Sequence, residues 1–282
     1  MESLPPTSQL LARAALTLAR RPGPLPAIPA ATHRFAAPAL DPARLAAYQA
    51  HMGGFAAELP LAALFPLAQR AQLAAMLAPG FPHKLVGLVH LENEERRLAP
   101  PDPAAGFALE VRTEAVAWPE APAWEVFACD VTTSQHGAPV ATCRSVYLAR
   151  RVGRRTAPKA AAAAPPEDPA IREDWAFAAD EGRRYAALSG DRNPIHLHPL
   201  LSRWFGFPRP ILHGMDGVAR AHAALERAAG RPVSRLDARF DRPLPLPGRA
   251  AFAAWEADEG AGFALGSPDG AARHVDGQAA FG

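Results

Sequence analysis

One pattern occurs twice in the chain and limits the folds open to it: a long apolar helix-like run followed by several strand-like runs. The first half has a helical run at 61–77, followed by strand-like runs at 84–96, 106–118, 123–134 and 138–150. The second half has a helical run at 214–229, followed by strand-like runs at 233–246, 248–258, 260–270 and 271–282. Alternation and β-branched content predict antiparallel strands. The chain is therefore predicted to be an α+β protein with a duplicated unit.

A stretch rich in Arg, Ala and Pro separates the two halves. It reads RRVGRRTAPKAAAAAPPEDPA over residues 150–170 and shows no apolar periodicity. Such a composition is typical of a semi-rigid spacer rather than of a core element. The predicted domains are residues 1–150 and 171–282, joined by a linker at 151–170.

Composition excludes several classes of protein. The chain has 30 basic and 28 acidic residues and a formal charge of +2, so bulk charge gives no reason to expect nucleic acid as a partner. Every stretch of 18 residues contains at least one charged residue, so no membrane insertion is predicted. Two cysteines, Cys129 and Cys143, are too few for a disulfide framework, and we expect buried reduced thiols.

The N-terminal stretch SQLLARAALTLARR has features of a targeting peptide. Glu2 opens the chain and Arg13 splits the apolar run, which argues against a secretory signal. A mitochondrial transit peptide is an alternative, because the stretch is amphipathic and rich in Arg. We expect a docked surface helix instead, and a cytoplasmic protein.

The stretch SGDRNPIHLHPL places an acid, Asp191, five residues before a histidine, His196. The preceding residues, 175–190, are predicted to form a helix that ends at Gly190, which accepts left-handed backbone angles. Asp191 then follows the helix directly. Pro194 fixes its own φ and pushes Asn193 toward an extended conformation, so the backbone largely sets the shape of this loop.

Asp191 and His196 are chemically complementary. A carboxylate near an imidazole raises the proton affinity of the ring and fixes its orientation. The pair can remove a proton from one atom and deliver one to a neighbour, provided that both groups are held in place. A structural alternative is an Asp that caps a turn above a packed His.

A second candidate element follows at WFGFPRPILHGMDG, where His213 and Gly214 stand at the entrance of the 214–229 helix. Backbone N–H groups at a helix N-terminus lack intrahelical partners and carry partial positive charge. Gly214 has no side chain, so a ligand oxygen can approach its N–H closely. This is a candidate oxyanion site for a thioester carbonyl.

The stretch YAALSGDRNPIHLHPLLSRWFGFPRPILHGM resembles the hydratase-2 motif of the MaoC-like acyl dehydratases. The pattern of that family is Y-x-x-x-S/G-G-D-x-N-P-I/L-H, followed by G-F-x-x-P-I-x-H-G-M. Nearly every fixed position is present. A weaker resemblance, over residues 59–93 and in the total length, extends to the two-domain 3-hydroxyacyl-thioester dehydratases.

This resemblance implies a double hotdog fold and reversible dehydration of (R)-3-hydroxyacyl thioesters to trans-2-enoyl thioesters. It implies Asp191 and His196 as the acid–base dyad and the Gly214 N–H as the oxyanion donor. Asn193 and Pro194 would shape the dyad loop, and His213 the junction between loop and helix. The substrate would be an acyl-CoA or acyl carrier protein thioester. No metal or cofactor is implied, and a homodimer is possible without being required.

Two residues depart from the pattern of single-domain relatives. Asp216 lies in the first turn of the 214–229 helix, where many relatives are apolar, and His222 stands two turns beyond Gly214. An acid in the first turn complements the helix dipole, and a buried histidine can be part of the core. Alternatively, both residues trim an acyl tunnel.

The first half has no counterpart to the dyad or to the His-Gly pair; it has Phe65-Pro66 near its helix entrance instead. We therefore expect a degenerate half that houses the acyl tail.

The sequence admits three rival functions. A metal site could draw on four histidines, but no H-E-x-x-H and no paired cysteines accompany them; they are His196, His198, His213 and His222. A hotdog thioesterase shares the fold and the thioester, but D-x-N-P-I-H favours dehydration. A non-catalytic acyl-binding protein is disfavoured because one half keeps its dyad.

Overall fold

The computed structural model describes residues 1–17, 28, 30–85, 87–118, 125–149 and 165–282. The chain divides into unit 1, Met1–Ala39 with Leu67–Ala161, and unit 2, Leu40–Pro66 with Ala162–Gly282. This division differs from the predicted boundary, because residues 40–66 group with the second half of the chain. Most of the predicted linker, residues 151–164, lies outside the described residues.

Unit 1 is built on an antiparallel sheet. Its strands are β1 (Glu2–Ser3), β2 (Ala31–Ala37), β3 (Val89–Arg97), β4 (Phe107–Val116), β5 (Glu125–Gln135) and β6 (Ala138–Ala149). They lie in the order β1-β2-β4-β5-β6-β3, and only the short β1 pairs in parallel. His136 and Gly137, both with positive φ, form the tight turn between β5 and β6. The four strand-like runs predicted for this half are confirmed.

Two helices contribute to unit 1. The N-terminal helix α1 (Thr7–Leu16) buries Leu10 and Ala14, in agreement with the predicted docked helix. Helix α3 (Leu61–Met76) confirms the predicted helical run, and its residues from Leu67 onward belong to unit 1. Gln72 of α3 is fully buried, and its amide donates to Ser145 Oγ of β6 at 2.9 Å. The helix therefore lies against the sheet, as predicted for an α+β unit.

Unit 2 repeats this plan. Its strands are β7 (Ile171–Phe177), β8 (Val233–Phe240), β9 (Gly248–Ala257), β10 (Gly260–Gly266) and β11 (Arg273–Phe281). They form antiparallel pairs in the order β8-β11-β10-β9-β7. Its helices are α2 (Pro42–Met52), α4 (Glu181–Ser189), α5 (Pro199–Trp204) and α6 (Gly214–Ala229), with a 3₁₀ turn at Pro194–His196.

Helix α6 is the central helix of unit 2, and its bounds are those predicted from the sequence. Gly217 lies so close to the sheet that an added Cβ would stand 3.0 Å from the Leu265 side chain of β10. At the other end of the helix, the Glu226 carboxylate accepts the N–H of Val233 at 2.7 Å, which ties α6 to the start of β8. A long helix thus lies on an antiparallel sheet in unit 2, and the predicted α+β class is confirmed.

The sequence prediction was wrong about residues 175–180. We predicted one helix over 175–190, but β7 continues to Phe177 and α4 begins only at Glu181. Trp175 stacks on Phe252 of β9 with ring centroids 4.7 Å apart and planes inclined by 9°. Pairing with β9 is a contact between residues distant in sequence, and it overrides the local helix propensity.

Both cysteines are free thiols and buried, as expected. In the part of the chain that the structure describes, no helix has the length and apolar character needed to cross a membrane.

Candidate active site

The loop that carries Asp191 and His196, called the dyad loop, begins where α4 ends. Gly190 adopts the left-handed conformation, with φ of 83°, and its N–H donates to the Ala186 carbonyl at 2.9 Å. This confirms Gly190 as the residue that terminates the helix. The N–H of Asp191 donates to Ser189 Oγ at 3.1 Å, so the first residue of the loop is anchored to the last residue of the helix.

Side-chain bonds to the backbone shape the rest of the loop. Asp191 Oδ1 accepts the N–H of Asn193 at 3.0 Å. Asn193 Oδ1 in turn accepts the N–H of Ile195 at 3.4 Å, which caps the turn Pro194–His196. The loop therefore has the constrained geometry that Asn193 and Pro194 were expected to impose.

His196 is held in one tautomer. Its Nδ1 lies 2.7 Å from the carbonyl oxygen of Ile211. Because a carbonyl oxygen only accepts hydrogen bonds, Nδ1 carries the proton and Nε2 keeps the lone pair. The half-buried His196 thus presents a basic nitrogen whose direction is fixed by the backbone before α6.

His213 contacts both members of the dyad. Its ring stacks on that of His196, with centroids 3.7 Å apart and planes inclined by 25°. Its Nε2 donates to the carbonyl oxygen of Asp191 at 3.1 Å. Tyr185 covers another side of this ring at a centroid distance of 4.8 Å. His213 was expected to shape the junction between loop and helix, and it lies at that junction as the residue before α6.

The electrostatics of the site favour neutral imidazoles. Burial lowers the pKa of His196, while the Asp191 carboxylate and the bond to Ile211 partly oppose this effect. Burial lowers the pKa of His213 well below its usual range. The charge of a protonated His196 is a second, smaller cause of the same shift. Near neutral pH, His196 is therefore available as a proton acceptor.

The side-chain donor atoms of Asp191, His196 and His213 all lie within 4.8 Å of one another. Such a set could hold a metal ion in another geometry. A ring nitrogen binds a metal through a lone pair in the plane of its ring, and two nearly parallel stacked rings do not direct those lone pairs at one point. The arrangement suits proton transfer better than metal binding.

Another histidine from the metal alternative has a separate role. His198 Nδ1 accepts the N–H of Leu200 at 3.2 Å and caps α5.

Gly214 is the first residue of α6, where the N–H has no acceptor within the helix. An added Cβ would stand 2.6 Å from two ring carbons of Phe240. The backbone at Gly214 therefore lies against β8, which explains the glycine by packing as well as by access for a ligand.

Asp216 belongs to a buried ionic network. It is fully buried, and its Oδ1 accepts from Arg220 Nε at 2.9 Å. The same guanidinium donates to Glu181 Oε1 at 2.5 Å and lies 3.1 Å from His51 Nε2. Burial raises the pKa of Asp216 to about 6, although Arg220 opposes the shift. Asp216, Glu181 and His51 form a second set of possible metal ligands, but the Arg220 cation is already bound among them.

His222 also lies in the interior of unit 2. Its Nε2 is 2.9 Å from Glu226 Oε1, and both side chains are fully buried. Glu226 Oε2 accepts the N–H of Ala57 at 3.0 Å, and the ring of Phe55 meets that of His222 edge-on at 5.0 Å. This environment is that of a core histidine. A role for Asp216 or His222 in an acyl tunnel stays a prediction.

Sequence reasoning missed the residues that support the loop from beneath. A Cβ added at Gly182 would stand 2.0 Å from the carbonyl oxygen of His196, so only glycine fits at this position of α4. Sequence reasoning also missed Arg220 and His51. These two residues contact each other although they are far apart in the sequence, and the local sequence gives no signal of such a contact. The Asp41-Pro42 pair before α2 is a helix-start signal that could have been used, since Asp41 caps the helix.

Comparison with known proteins identifies the family of this chain. Residues 160–277 match the model of the MaoC-like domain. The 3-hydroxyacyl-thioester dehydratase X of Mycobacterium tuberculosis is 30% identical over 224 residues, which cover 78% of this chain and 79% of that protein. The chain belongs to the MaoC-like dehydratase family.

Solved structures agree with this membership. The crystal structure of HtdX from M. tuberculosis matches this MaoC-like chain with a TM-score of 0.74 and 26% sequence identity. The match covers 89% of this chain and 100% of HtdX. A second M. tuberculosis protein, described as having a double hotdog fold, has a TM-score of 0.54 at 14% identity, covering 91% and 96% of the two chains. The double hotdog expected from the motif is confirmed.

A short match falls on an enzyme of defined stereochemistry. The (R)-specific enoyl-CoA hydratase of Aeromonas caviae is 51% identical over 39 residues, which cover 14% of the MaoC-like chain and 29% of that enzyme.

Proposed function

We propose that this MaoC-like protein is a hydro-lyase that reversibly dehydrates (R)-3-hydroxyacyl thioesters to trans-2-enoyl thioesters in fatty-acid metabolism. The observation that carries the proposal is the His196 imidazole, which is neutral, held in one tautomer by Ile211 and accompanied by the Asp191 carboxylate. The names of related proteins point to the same reaction, since they are dehydratases and hydratases of acyl thioesters.

In the dehydration direction, His196 Nε2 removes the proton from C2, and the electron pair of the C2–H bond forms the C2=C3 double bond. The C3–O bond breaks, and the imidazolium returns the same proton to the departing hydroxyl, which leaves as water. One base on one face of the substrate performs both transfers, so the elimination is syn. In hydration, His196 takes a proton from water and delivers it to C2.

The Asp191 carboxylate stabilises the imidazolium that forms during the reaction, because a nearby negative charge favours the protonated ring. The N–H of Gly214 donates to the thioester carbonyl oxygen, which gains negative charge when C2 loses its proton. Asn193 and Pro194 hold the loop, and His213 supports both members of the dyad. The first half of the chain, residues 1–150, binds the acyl tail and takes no part in proton transfer.

The substrate carries its acyl group on the thiol of phosphopantetheine, which coenzyme A and acyl carrier proteins share. An assay of the hydration of trans-2-butenoyl thioesters tests the proposal directly. The loss of the enoyl absorbance measures the rate. We expect Asp191→Asn and His196→Ala each to lower turnover by about two to four orders of magnitude, the usual range for positioned acid–base groups.

Two outcomes would contradict the proposed reaction. Release of free thiol without loss of the enoyl group beforehand would identify a thioesterase. Retention of most of the wild-type activity by either variant would place the chemistry elsewhere.

Because unit 1 lacks the motif, titration with a tight substrate analogue should saturate near one site per chain.

A further inference from the structure

Helix α5, directly after the dyad loop, exposes an unusual set of apolar side chains. Trp204 is 84% exposed, Leu200 67% and Leu201 39%. Among the described residues, six large apolar side chains are exposed, and these are three of them. Exposed apolar residues are ordinary when scattered singly, but a group of them marks a binding surface.

The outward direction of these side chains follows from how α5 is held. Its only buried residue is Ser202, whose hydroxyl donates to the Pro199 carbonyl at 3.0 Å. The cap from His198 and this bond fix the short helix through polar contacts. Leu200, Leu201 and Trp204 therefore remain available for a partner, spaced so that Leu200 and Trp204 share one side of the helix.

Arginines surround this apolar group. Arg183 of α4 donates to the Leu197 carbonyl at 3.3 Å, beside the start of α5. Arg203 of α5 donates to the Pro208 carbonyl at 3.3 Å, and the exposed Arg209 follows directly. Residues 183–210 contain five arginines and one acidic residue, whereas the whole chain has a formal charge of only +2. The surface is thus apolar at its centre and basic around it.

We infer that this surface, defined by Leu200, Leu201, Trp204, Arg203 and Arg209, docks an acidic carrier protein that presents the acyl group on its phosphopantetheine arm. The inference rests on the proposed function, because it names the carrier of that substrate. An acidic partner complements the arginines, and an apolar patch on it covers the exposed side chains. The surface adjoins the dyad loop, where the thioester has to arrive.

Two other occupants fit less well. A second copy of this chain, paired by a two-fold axis, would place the arginines of one copy against those of the other. The nucleotide of coenzyme A offers one ring to stack on Trp204, but it leaves Leu200 and Leu201 uncovered. A folded acidic carrier satisfies both the apolar and the charged parts of the surface.

The test compares one acyl group on two carriers, with the full-length chain and trans-2-butenoyl thioesters of coenzyme A and of an acidic acyl carrier protein. We expect Trp204→Ser and Arg203→Glu each to raise KM for the carrier-protein ester about tenfold, with kcat unchanged. KM for the coenzyme A ester should stay within about twofold of the wild type, because the contacts removed are those made to the protein carrier.

Matched controls lie in unit 1. Leu98 is 52% exposed, and Arg112 is exposed on β4, so Leu98→Ser and Arg112→Glu repeat the two changes of polarity and charge on another surface. Both controls should leave both esters unaffected. Equal losses on the two esters, or no loss on the carrier-protein ester, would overturn the inference, as would a change of oligomeric state in Trp204→Ser.

A binding measurement separates this inference from the proposed function. Calorimetric titration with a carrier protein loaded with a saturated butyryl group needs no turnover. Binding that is weakened by Arg203→Glu supports the docking surface even if the wild type hydrates neither ester, which would refute only the proposed reaction. Turnover of both esters without any effect of the variants on binding or KM would refute only the docking surface.

Discussion

The imidazole of His213 lies against that of His196 with ring centroids 3.7 Å apart, and its Nε2 donates to the Asp191 carbonyl at 3.1 Å. One neutral ring thus contacts both dyad residues in two different ways. The stacked face shields His196 from water, whereas the hydrogen bond holds the backbone of Asp191. Substitutions can separate these two effects.

His213→Asn keeps an N–H donor but removes the ring, so water reaches His196 and its pKa rises toward the ordinary value. Because the proposed base, His196, acts in its neutral form, the acid limb of the kcat/KM profile should move to higher pH. His213→Phe keeps the ring but not the donor, so the acid limb should stay in place while kcat falls. The Asp191 carboxylate and the Ile211 carbonyl, which both raise the pKa of His196, are unchanged in both variants. Equal displacement of the acid limb in both variants would contradict the separation.

Gly182→Ala should impair catalysis more than stability. The added Cβ would stand 2.0 Å from the His196 carbonyl oxygen, so the loop has to move away from α4. A misplaced base costs about a hundredfold in kcat, measurable by enoyl hydration alongside the thermal midpoint. Gly217→Ala is the control, because the closest atom to its Cβ is the end of the flexible Leu265 side chain, at 3.0 Å, rather than the backbone. A fully active Gly182→Ala variant would show that the loop position is not set from α4.

Gly214→Ala tests whether packing or access explains the glycine. The new methyl group would clash with the Phe240 ring, whose carbons lie 2.6 Å from its position. If the Gly214 N–H binds the thioester oxygen, the added methyl group hinders the approach of that oxygen. In that case kcat should fall by about two orders of magnitude. The second change Phe240→Leu relieves the clash and should restore the thermal midpoint but not kcat. Full recovery of kcat in the double variant would assign the glycine to packing alone.

His222→Leu should affect stability and leave substrate preference unchanged. Leucine removes the His222 Nε2 partner of Glu226 Oε1, and a buried polar group that loses a hydrogen-bond partner costs about 1–3 kcal/mol. Denaturant unfolding measures this loss, and relative rates on butenoyl to dodecenoyl thioesters measure the preference. A change in the preferred acyl length would instead support the tunnel role predicted from the sequence.

Asp216 should make the fold less stable as pH rises. Its pKa in the folded protein is about 6, above the ordinary value of 3.8, so the native state holds a proton that the unfolded state has released. Its stabilising contribution is complete below about pH 4 and is lost as pH rises through about 6, by roughly 3 kcal/mol in total. Relative to Asp216→Asn, the wild type should therefore lose free energy of unfolding between these pH values. A difference that does not change with pH would contradict the raised pKa.

The sequence was sufficient where local chemistry decides the structure. Gly190 ends α4 and Pro194 stiffens the loop through the backbone preferences of those two residues, and the start of α6 at Gly214 follows a local pattern. Local patterns could not reveal that Trp175 joins a strand, because its partner Phe252 is distant in the chain. The stack between His196 and His213 was likewise beyond reach, since it depends on how the loop folds back onto the helix entrance.

The membership of α2 in unit 2 has a consequence for the order of events during synthesis. His51 of α2 and Arg220 of α6 meet although they are 169 residues apart. A ribosome therefore releases α2 before residues 67–161 of unit 1, and the helix meets its partners only after most of the chain has emerged. Throughout that interval Tyr48 and Met52, which end up buried, are without α6, and a nascent chain stalled after residue 161 would display α2 as an unfinished piece of a later unit.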